Sequence, residues 1–172
     1  MTKSCAIIGC SPMCFPWGFD EEDEGCTALK LILINQISKL RGEGCPRFAV
    51  SMDCGVGLYA AEILHGLKEQ DDALKTICFV PYEEQATKWT PELRDRYFSS
   101  LAACTEVIYM AYEKTVGCEF KAYLDAMNKA DTVIAVYYPD DPRCEREAAA
   151  MAVAEMLNKQ VLTVDPKAIR LL

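Results

Sequence analysis

Two glycine-containing segments have the residue types that could bind a phosphate. Residues 51–57 read Ser-Met-Asp-Cys-Gly-Val-Gly before a helix-like stretch, and residues 9–12 read Gly-Cys-Ser-Pro after an apolar run. Glycine lets the backbone come close to a ligand, and backbone N–H groups at a helix N-terminus favour an anion. A tight turn from strand to helix also uses glycines such as Gly55 and Gly57, so the residues alone leave both interpretations open.

A third candidate segment carries an amide and an aromatic ring. Gln85 and Trp89 are four residues apart, so that both side chains would share one face of a helix. An amide and a ring on the same face could hold the plane of a nucleotide base. A tryptophan that packs in the core produces the same pattern, and this second interpretation stays open.

Glu62 is the strongest candidate for a catalytic acid, because it falls in the first turns of a helix that would begin at the ligand edge of a sheet. An acid at that place is also stabilised by the helix dipole without any catalytic role. His65, the only histidine, falls inside the same predicted helix. Serine–histidine and cysteine–histidine mechanisms are disfavoured, since the imidazole must lie within hydrogen-bond reach of its nucleophile.

The ten cysteines are spread along the chain without a Cys-x-x-Cys pair, which predicts reduced thiols rather than a disulfide framework. Cys78 and Cys104 lie in apolar segments, where a free cysteine behaves as a small buried apolar residue. Cys10 and Cys14 have Cys-x-x-x-Cys spacing, but the sequence shows no third ligand beside them. We therefore expect no metal site and no obligatory disulfide.

The apolar pattern predicts alternating strands and helices that would position these segments. Short apolar runs read as strands at residues 5–9, 48–52, 76–80, 107–110, 132–138 and 161–164. Thr90 followed by Pro91 marks one helix start. Nearly continuous apolar strands are typical of a parallel sheet covered by helices on both faces. The prediction is a single doubly wound α/β domain over residues 1–172, with its ligand crevice beyond the C-terminal ends of the first, second and fourth or fifth strands.

Composition and charge narrow the range of partners. Lys and Arg number 18 and Asp and Glu 26, a formal charge of −8 that opposes a broad electrostatic grip on nucleic acid. No apolar stretch approaches the roughly 18 residues that a membrane span requires. The first residues show no leader-like apolar region. We expect a protein of the cytoplasm that has no membrane partner, and nucleic acid is disfavoured as a partner.

Several segments together resemble the YpsA-like branch of the SLOG superfamily, which also contains DNA-processing protein A and the Lonely Guy phosphoribohydrolases. The resemblance spans residues 4–165 and is carried, in order, by Pro16-Trp17-Gly18, Gly55 before Ala60-Ala61-Glu62, and Pro81-x-x-x-Gln85-x-x-x-Trp89. It implies a Rossmann-like three-layer sandwich with a mainly parallel sheet and a nucleotide-derived ligand at the strand ends, without a separate cofactor. With the residue chemistry above, it points to ligand-binding residues Gly9, Cys10, Ser11, Pro12, Trp17, Asp53, Gly55, Gly57, Gln85 and Trp89, and to Glu62 as the candidate catalytic residue.

The sequence departs from these families in the parts that would hold phosphate. Cys10 and Ser11 stand where family members usually have His and Arg, and residues 139–144 replace an expected Gly-Gly-Thr. The phosphate-binding signature is therefore degenerate. The resulting hypothesis is a protein that binds or senses a nucleotide or a nucleotide derivative. The alternatives are an enzyme resembling the nucleoside 5'-monophosphate phosphoribohydrolases and a homologue that acts only through protein contacts; the oligomeric state stays open, a homo-oligomer included.

Overall fold

A parallel sheet organises the chain. In the computed structural model, which describes residues 2–169, six strands alternate strictly with five α-helices. The strands are β1 (Ser4–Gly9), β2 (Arg47–Ser51), β3 (Lys75–Val80), β4 (Glu106–Tyr109), β5 (Thr132–Val136) and β6 (Gln160–Val164). The helices are α1 (Glu24–Gly42), α2 (Val56–Lys68), α3 (Pro91–Ala103), α4 (Cys118–Asn128) and α5 (Glu145–Met156).

The strand order is β4-β3-β2-β1-β5-β6, and every neighbouring pair is parallel. Ala6 in β1 is opposite Ala49 in β2 and Val133 in β5, so the first strand lies inside the sheet. Its apolar side chains are buried on both faces, which is what a continuous apolar run predicts. The predicted α/β, Rossmann-like layout is confirmed.

Helices cover both faces of the sheet. Helix α2 packs against α1 and α3, whereas α4 packs against α5. Both α2 and α4 contact strands β1, β2 and β3, so they must lie on opposite faces of the sheet. The predicted start of α3 is confirmed, because Thr90 Oγ1 accepts a hydrogen bond from Leu93 N and Pro91 is the first helical residue. No helix within residues 2–169 is both long enough and apolar enough to cross a membrane.

One expectation about the cysteines is wrong. Cys78 in β3 and Cys104 at the end of α3 form a disulfide, although the sequence predicts two reduced thiols. The connection from β3 through α3 returns the chain to the neighbouring strand β4, and this brings together two residues that are 26 positions apart. Sequence spacing alone carries no sign of this contact. The other eight cysteines are free thiols.

The turn from β2 into α2 depends on the absence of a side chain at Gly57. A Cβ atom there would overlap the carbonyl oxygen of Ser51, and that oxygen belongs to the backbone and cannot swing aside. A Cβ atom on Gly55 would lie 2.8 Å from the ring carbons of Pro12. Gly57 is therefore required by its own turn and Gly55 by the packing of this turn against the loop after β1, whatever ligand the protein binds.

Gly57→Ala and Gly66→Ala form a matched pair of substitutions in α2. Gly57→Ala should lower the free energy of unfolding by about 3 kcal/mol, near the upper end for an overpacked site, because the new methyl group meets the Ser51 carbonyl. Gly66 has open space around its Cβ position, so Gly66→Ala should raise that free energy by about 0.5 to 1 kcal/mol through helix propensity alone. Urea unfolding followed by circular dichroism measures both. Equal effects of the two substitutions would contradict the packing argument.

Candidate functional site

A crevice of about 260 Å³ lies beyond the C-terminal ends of β1, β2 and β3. It is lined by Ser11, Pro12, Ser51, Met52, Asp53, Cys54, Pro81, Tyr82, Gln85, Trp89, Glu119, Tyr123 and Arg146. The first and second strands are those of our expectation, and the loop after β3 is an addition to it. The helices that follow β4 and β5 supply Glu119, Tyr123 and Arg146. The loop after β4 does not line the crevice, and it pairs with the loop after β3 through the Glu83 N–H and the Ala111 carbonyl, 2.9 Å apart.

Asp53 forms the floor of the crevice and caps the start of α2. Its Oδ1 accepts hydrogen bonds from the backbone N–H groups of Gly55, at 2.8 Å, and Gly57, at 2.9 Å. The two N–H groups that could have held a phosphate are therefore bonded to a carboxylate of the same chain. Desolvation raises the pKa of Asp53 to about 7, although the two hydrogen bonds act to lower it. Asp53 therefore titrates near neutral pH, which is typical of groups at functional sites.

Arg146 is a crevice residue that the sequence reasoning missed. It lies in the first turn of α5, on the side of the crevice that also carries Glu119 and Tyr123. It forms no ion pair with the carboxylates of residues 2–169. By contrast, Arg143 binds Asp141 at 2.7 Å and so has its partner already. The sequence shows two arginines close together after β5, Arg143 and Arg146. Nothing in the sequence indicates which of the two lies in the crevice.

A buried hydrogen-bond network supports the wall of the crevice. The Tyr123 hydroxyl lies 2.8 Å from the carbonyl oxygen of Gly9 and 2.7 Å from Oε1 of Glu147, and it donates its proton to one of them. Glu147 is 3% exposed, so Tyr123 satisfies a carboxylate that solvent hardly reaches. Burial raises the pKa of Tyr123 well above its usual value. The network joins α4, α5 and the end of β1 and so holds Arg146 beside the Gly9 loop.

Gln85 and Trp89 both reach the crevice, but not as one helix face. The short 3-10 helix Glu83–Ala86 carries Gln85, and Trp89 follows that helix. Nε2 of Gln85 donates to the Met52 carbonyl at 3.3 Å and to the Tyr97 hydroxyl at 3.0 Å. Trp89 packs edge-on against Tyr97, with 5.0 Å between ring centroids. Trp89 therefore packs against Tyr97 and also lines the crevice.

Trp89 and Cys54 also line a second, larger hollow of about 540 Å³ next to the crevice. Arg96 and Glu21 lie on its wall. Arg96 binds Glu62 through Nε–Oε1 at 2.7 Å and Nη2–Oε2 at 2.9 Å, and it binds both carboxylate oxygens of Glu21 as well. Glu62 lines neither cavity. The Arg96 guanidinium therefore binds both carboxylate oxygens of Glu62, our candidate catalytic residue.

The expected ligand-binding residues divide into two groups. The crevice brings together Ser11, Pro12, Asp53, Gln85 and Trp89. The other five lie behind or beside its surface, and they are Gly9, Cys10, Trp17, Gly55 and Gly57.

Each residue of the second group has a packing contact that accounts for it. A Cβ atom on Gly9 would lie 2.5 Å from Val56, so this glycine lets β1 approach the start of α2. Trp17 stacks on Phe15 with 4.6 Å between ring centroids and covers Gly25. The Pro-Trp-Gly motif thus shapes the loop after β1 without entering the crevice.

Cys10 belongs to a cluster of thiols that the sequence did not reveal. The Sγ atoms of Cys10, Cys14 and Cys144 lie within 4.8 Å of one another. The sequence predicts no metal site because it shows no third ligand beside Cys10 and Cys14. The fold brings the thiol of Cys144, which is 130 positions after Cys14, next to them.

Comparison of the sequence with known families and proteins gives one consistent answer. Residues 5–168 match the YpsA family, described as the YspA SLOG family. A UPF0398 protein of Bacillus licheniformis is 31% identical over 139 residues, which cover 78% of this chain and 74% of that protein. The UPF0398 protein YpsA of Bacillus subtilis is 27% identical over 142 residues, which cover 80% and 77% of the two chains.

Among solved structures, the fold is similar to that of DNA processing protein A from Helicobacter pylori, a protein described by its mode of binding single-stranded DNA. The TM-score is 0.58 at 16% sequence identity, so the likeness concerns the fold alone. The alignment covers 94% of this chain but only 65% of that protein, so the chain spans less than two thirds of its length. The family match and the sequence relatives confirm the resemblance carried by the Pro-Trp-Gly, Ala-Ala-Glu and Gln-x-x-x-Trp motifs, and the chain belongs to the YpsA family of SLOG proteins.

Proposed function

We propose that the crevice binds a small nucleotide-derived ligand, with one anionic group at Arg146 and a planar ring against Trp89. The observation that carries this proposal is an arginine that forms no ion pair with the carboxylates of residues 2–169, together with an indole ring, in one crevice at the strand ends. Open α/β sheets bind their ligands at this edge. The larger hollow beyond Trp89 gives room for the part of the ligand that the crevice does not hold.

The charges of the crevice favour a ligand with a single anionic group. Arg146 is its one basic lining residue within residues 2–169, whereas Asp53 and Glu119 are acidic. Asp53 also occupies the N–H groups of Gly55 and Gly57, which removes the usual phosphate position at a helix N-terminus. A nucleoside monophosphate or a phosphodiester fits these charges better than a triphosphate.

A second candidate function is hydrolysis of a nucleoside 5'-monophosphate, in which water breaks the N-glycosidic bond and bonds to the ribose carbon, giving the free base and ribose 5-phosphate. The specific observation is the pKa of Asp53, about 7, because a carboxylic acid that is partly protonated at neutral pH can donate a proton to a leaving base. Asp53, not Glu62, would be the acid. Chromatography of a reaction with adenosine monophosphate tests this function: release of adenine that disappears in Asp53→Asn supports it, and no adenine from the parent protein excludes it.

The structural neighbour raises single-stranded DNA as another ligand. The formal charge of −8 and the acidic groups at the crevice oppose binding to a polyanion. We therefore propose the small molecule over the polymer. Fluorescence anisotropy with a labelled oligothymidine separates the two, since saturable binding at low micromolar concentration would favour DNA.

We propose that the protein is a single domain and that it acts in the cytoplasm. Eight of the ten cysteines are free thiols, which fits a reducing compartment, whereas the Cys78–Cys104 disulfide is the kind of bond that an oxidising compartment favours. Whether two copies associate is left to measurement of the mass in solution.

Arg146→Gln tests the anion contact directly. We expect this substitution to weaken the binding of adenosine monophosphate by about 10- to 100-fold, because it removes a charge-assisted hydrogen bond of about 1.5 to 3 kcal/mol. Arg94→Gln is the matched control, since Arg94 is an exposed arginine on α3 that lines neither cavity. Isothermal titration calorimetry at millimolar ligand measures the three affinities.

Two results would reject the proposed function. If the parent binds neither nucleoside monophosphates nor a dinucleotide such as NAD at millimolar concentration, a homologue that acts through protein contacts takes its place. If Arg146→Gln and Arg94→Gln bind equally well, a ligand does bind but its anionic group does not contact α5.

The pKa of Asp53 predicts how binding depends on pH. Cyclic adenosine monophosphate is a suitable probe, because its single charge does not change between about pH 6 and pH 8. Its affinity should fall as the pH rises through about 7, when Asp53 becomes negative beside the ligand. A fall of roughly fivefold is expected, since like charges a few ångströms apart cost about 1 kcal/mol in a water-like crevice. Calorimetry at several pH values gives the curve.

Asp53→Asn is the variant that isolates this carboxyl. Asparagine keeps an oxygen acceptor for Gly55 and Gly57, so the turn should persist while the affinity for the probe becomes independent of pH. The native pKa of Asp53 is raised above its unfolded value, so protonation favours folding and this contribution is lost as the pH rises through about 7. The variant should therefore have a higher Tm than the parent at about pH 8. A parent affinity that stays flat or rises with pH contradicts the argument.

A further inference from the structure

Three cysteine thiols meet behind the crevice. Cys10 directly follows β1, Cys14 ends the short helix Pro12–Cys14, and Cys144 ends the short helix Pro142–Cys144 before α5. Their Sγ atoms all lie within 4.8 Å of one another, and all three residues are buried, at 0%, 7% and 1% exposure. Three sulfur atoms from two distant parts of the chain thus face one small volume.

The backbone holds these residues in place without any cation. The Cys10 N–H donates to the Val136 carbonyl at 2.9 Å, which continues the pairing of β1 with β5. The Cys14 and Cys144 N–H groups each close a turn of their own short helix at 2.9 Å. Arg143 Nη1 donates to the Met13 carbonyl at 3.0 Å and ties the two loops together. The donor set is therefore preorganised.

The surroundings provide a shell and an access route. Phe15 and Tyr138 are buried residues that pack against each other near the cluster, with 6.1 Å between ring centroids. Cys14 also lines a pocket of about 280 Å³ that opens to solvent beside Arg143. A hydrated ion can reach Cys14 from this side, while the other two sulfur atoms lie deeper.

We propose that Cys10, Cys14 and Cys144 form a binding site for a thiophilic d10 cation, Zn²⁺ or Cu⁺. Thiolate sulfur is the donor that these soft or borderline ions prefer over oxygen. On binding, each thiol releases one proton to solvent and its sulfur forms one bond to the cation, so no electron transfer is involved. Three sulfur donors complete a trigonal Cu⁺ site, whereas Zn²⁺ takes a fourth donor such as water from the pocket at Cys14.

The cluster differs from the Cys78–Cys104 pair. Three thiols that face one point match the donor set of a cation, whereas a disulfide joins two sulfur atoms and leaves a third unused. The cluster also stands apart from the proposed ligand crevice, because none of the three cysteines lines that crevice. Metal binding and ligand binding can therefore fail independently of each other.

The test uses the full-length protein, reduced and then freed of reductant without oxygen. The protein is loaded with Zn²⁺, or with Cu⁺ in an anaerobic chamber, passed through a desalting column and analysed by mass spectrometry of the metal. The parent should retain about one cation per chain. Cys144→Ser should lower the affinity for the cation at least 100-fold. This exceeds the roughly 10- to 100-fold loss that is typical when a residue that only orients a metal ligand is removed. Cys45→Ser is the matched control, a buried free thiol outside the cluster, and should bind as the parent does.

X-ray absorption at the metal edge keeps the proposal testable if Cys144→Ser does not fold, as judged by circular dichroism. Three sulfur neighbours around the cation in the parent protein support the site. The proposal is overturned if the reduced parent retains no cation, or if the parent and Cys144→Ser retain equal amounts. It is also overturned if X-ray absorption shows only nitrogen and oxygen atoms bound to the cation.

Discussion

The Asp53 carboxylate caps the start of α2 through the N–H groups of Gly55 and Gly57, and the neighbouring geometry follows from this one contact. The cap requires the chain to turn sharply after β2, and the turn is sharp enough that a Cβ atom on Gly57 would overlap the Ser51 carbonyl. With α2 fixed so close to the sheet, Gly9 must also lack a side chain where β1 passes Val56. The loop after β1 follows directly and lines the crevice with Ser11 and Pro12.

The same contact changes the electrostatics of the ligand edge. A helix N-terminus in a Rossmann-like fold usually offers free N–H groups to a phosphate, but in this chain a carboxylate already accepts from them. The positive group of the crevice comes instead from Arg146 on α5, directly after the segment 139–144 that replaces the expected Gly-Gly-Thr. Asp53 and Arg146 therefore have opposite effects on an anion in the crevice, because the carboxylate occupies N–H groups that could hold the anion and the guanidinium provides a cation.

The sequence predicted the sheet well because its signals are local. Continuous apolar runs mark strands such as β1 and β5, and Thr90-Pro91 marks the start of α3 without reference to the rest of the chain. The site was harder to predict, since contacts between distant residues decide it. Glu62 has the type and place of a catalytic acid, yet Arg96 binds it from another helix. Cys104 reads as an ordinary buried thiol until α3 returns it to Cys78.

The loop after β1 shows how one short segment can serve two sites. Ser11 and Pro12 face the crevice, while Cys10 and Cys14 on either side of them face the thiol cluster. On the opposite side, Cys144 belongs to the cluster and Arg146, two residues later, belongs to the crevice. The same two loops therefore support both sites, although no residue belongs to both. Backbone hydrogen bonds such as Cys10 N–H to the Val136 carbonyl hold these loops, so the residues of one site stay in place whether or not the other is occupied.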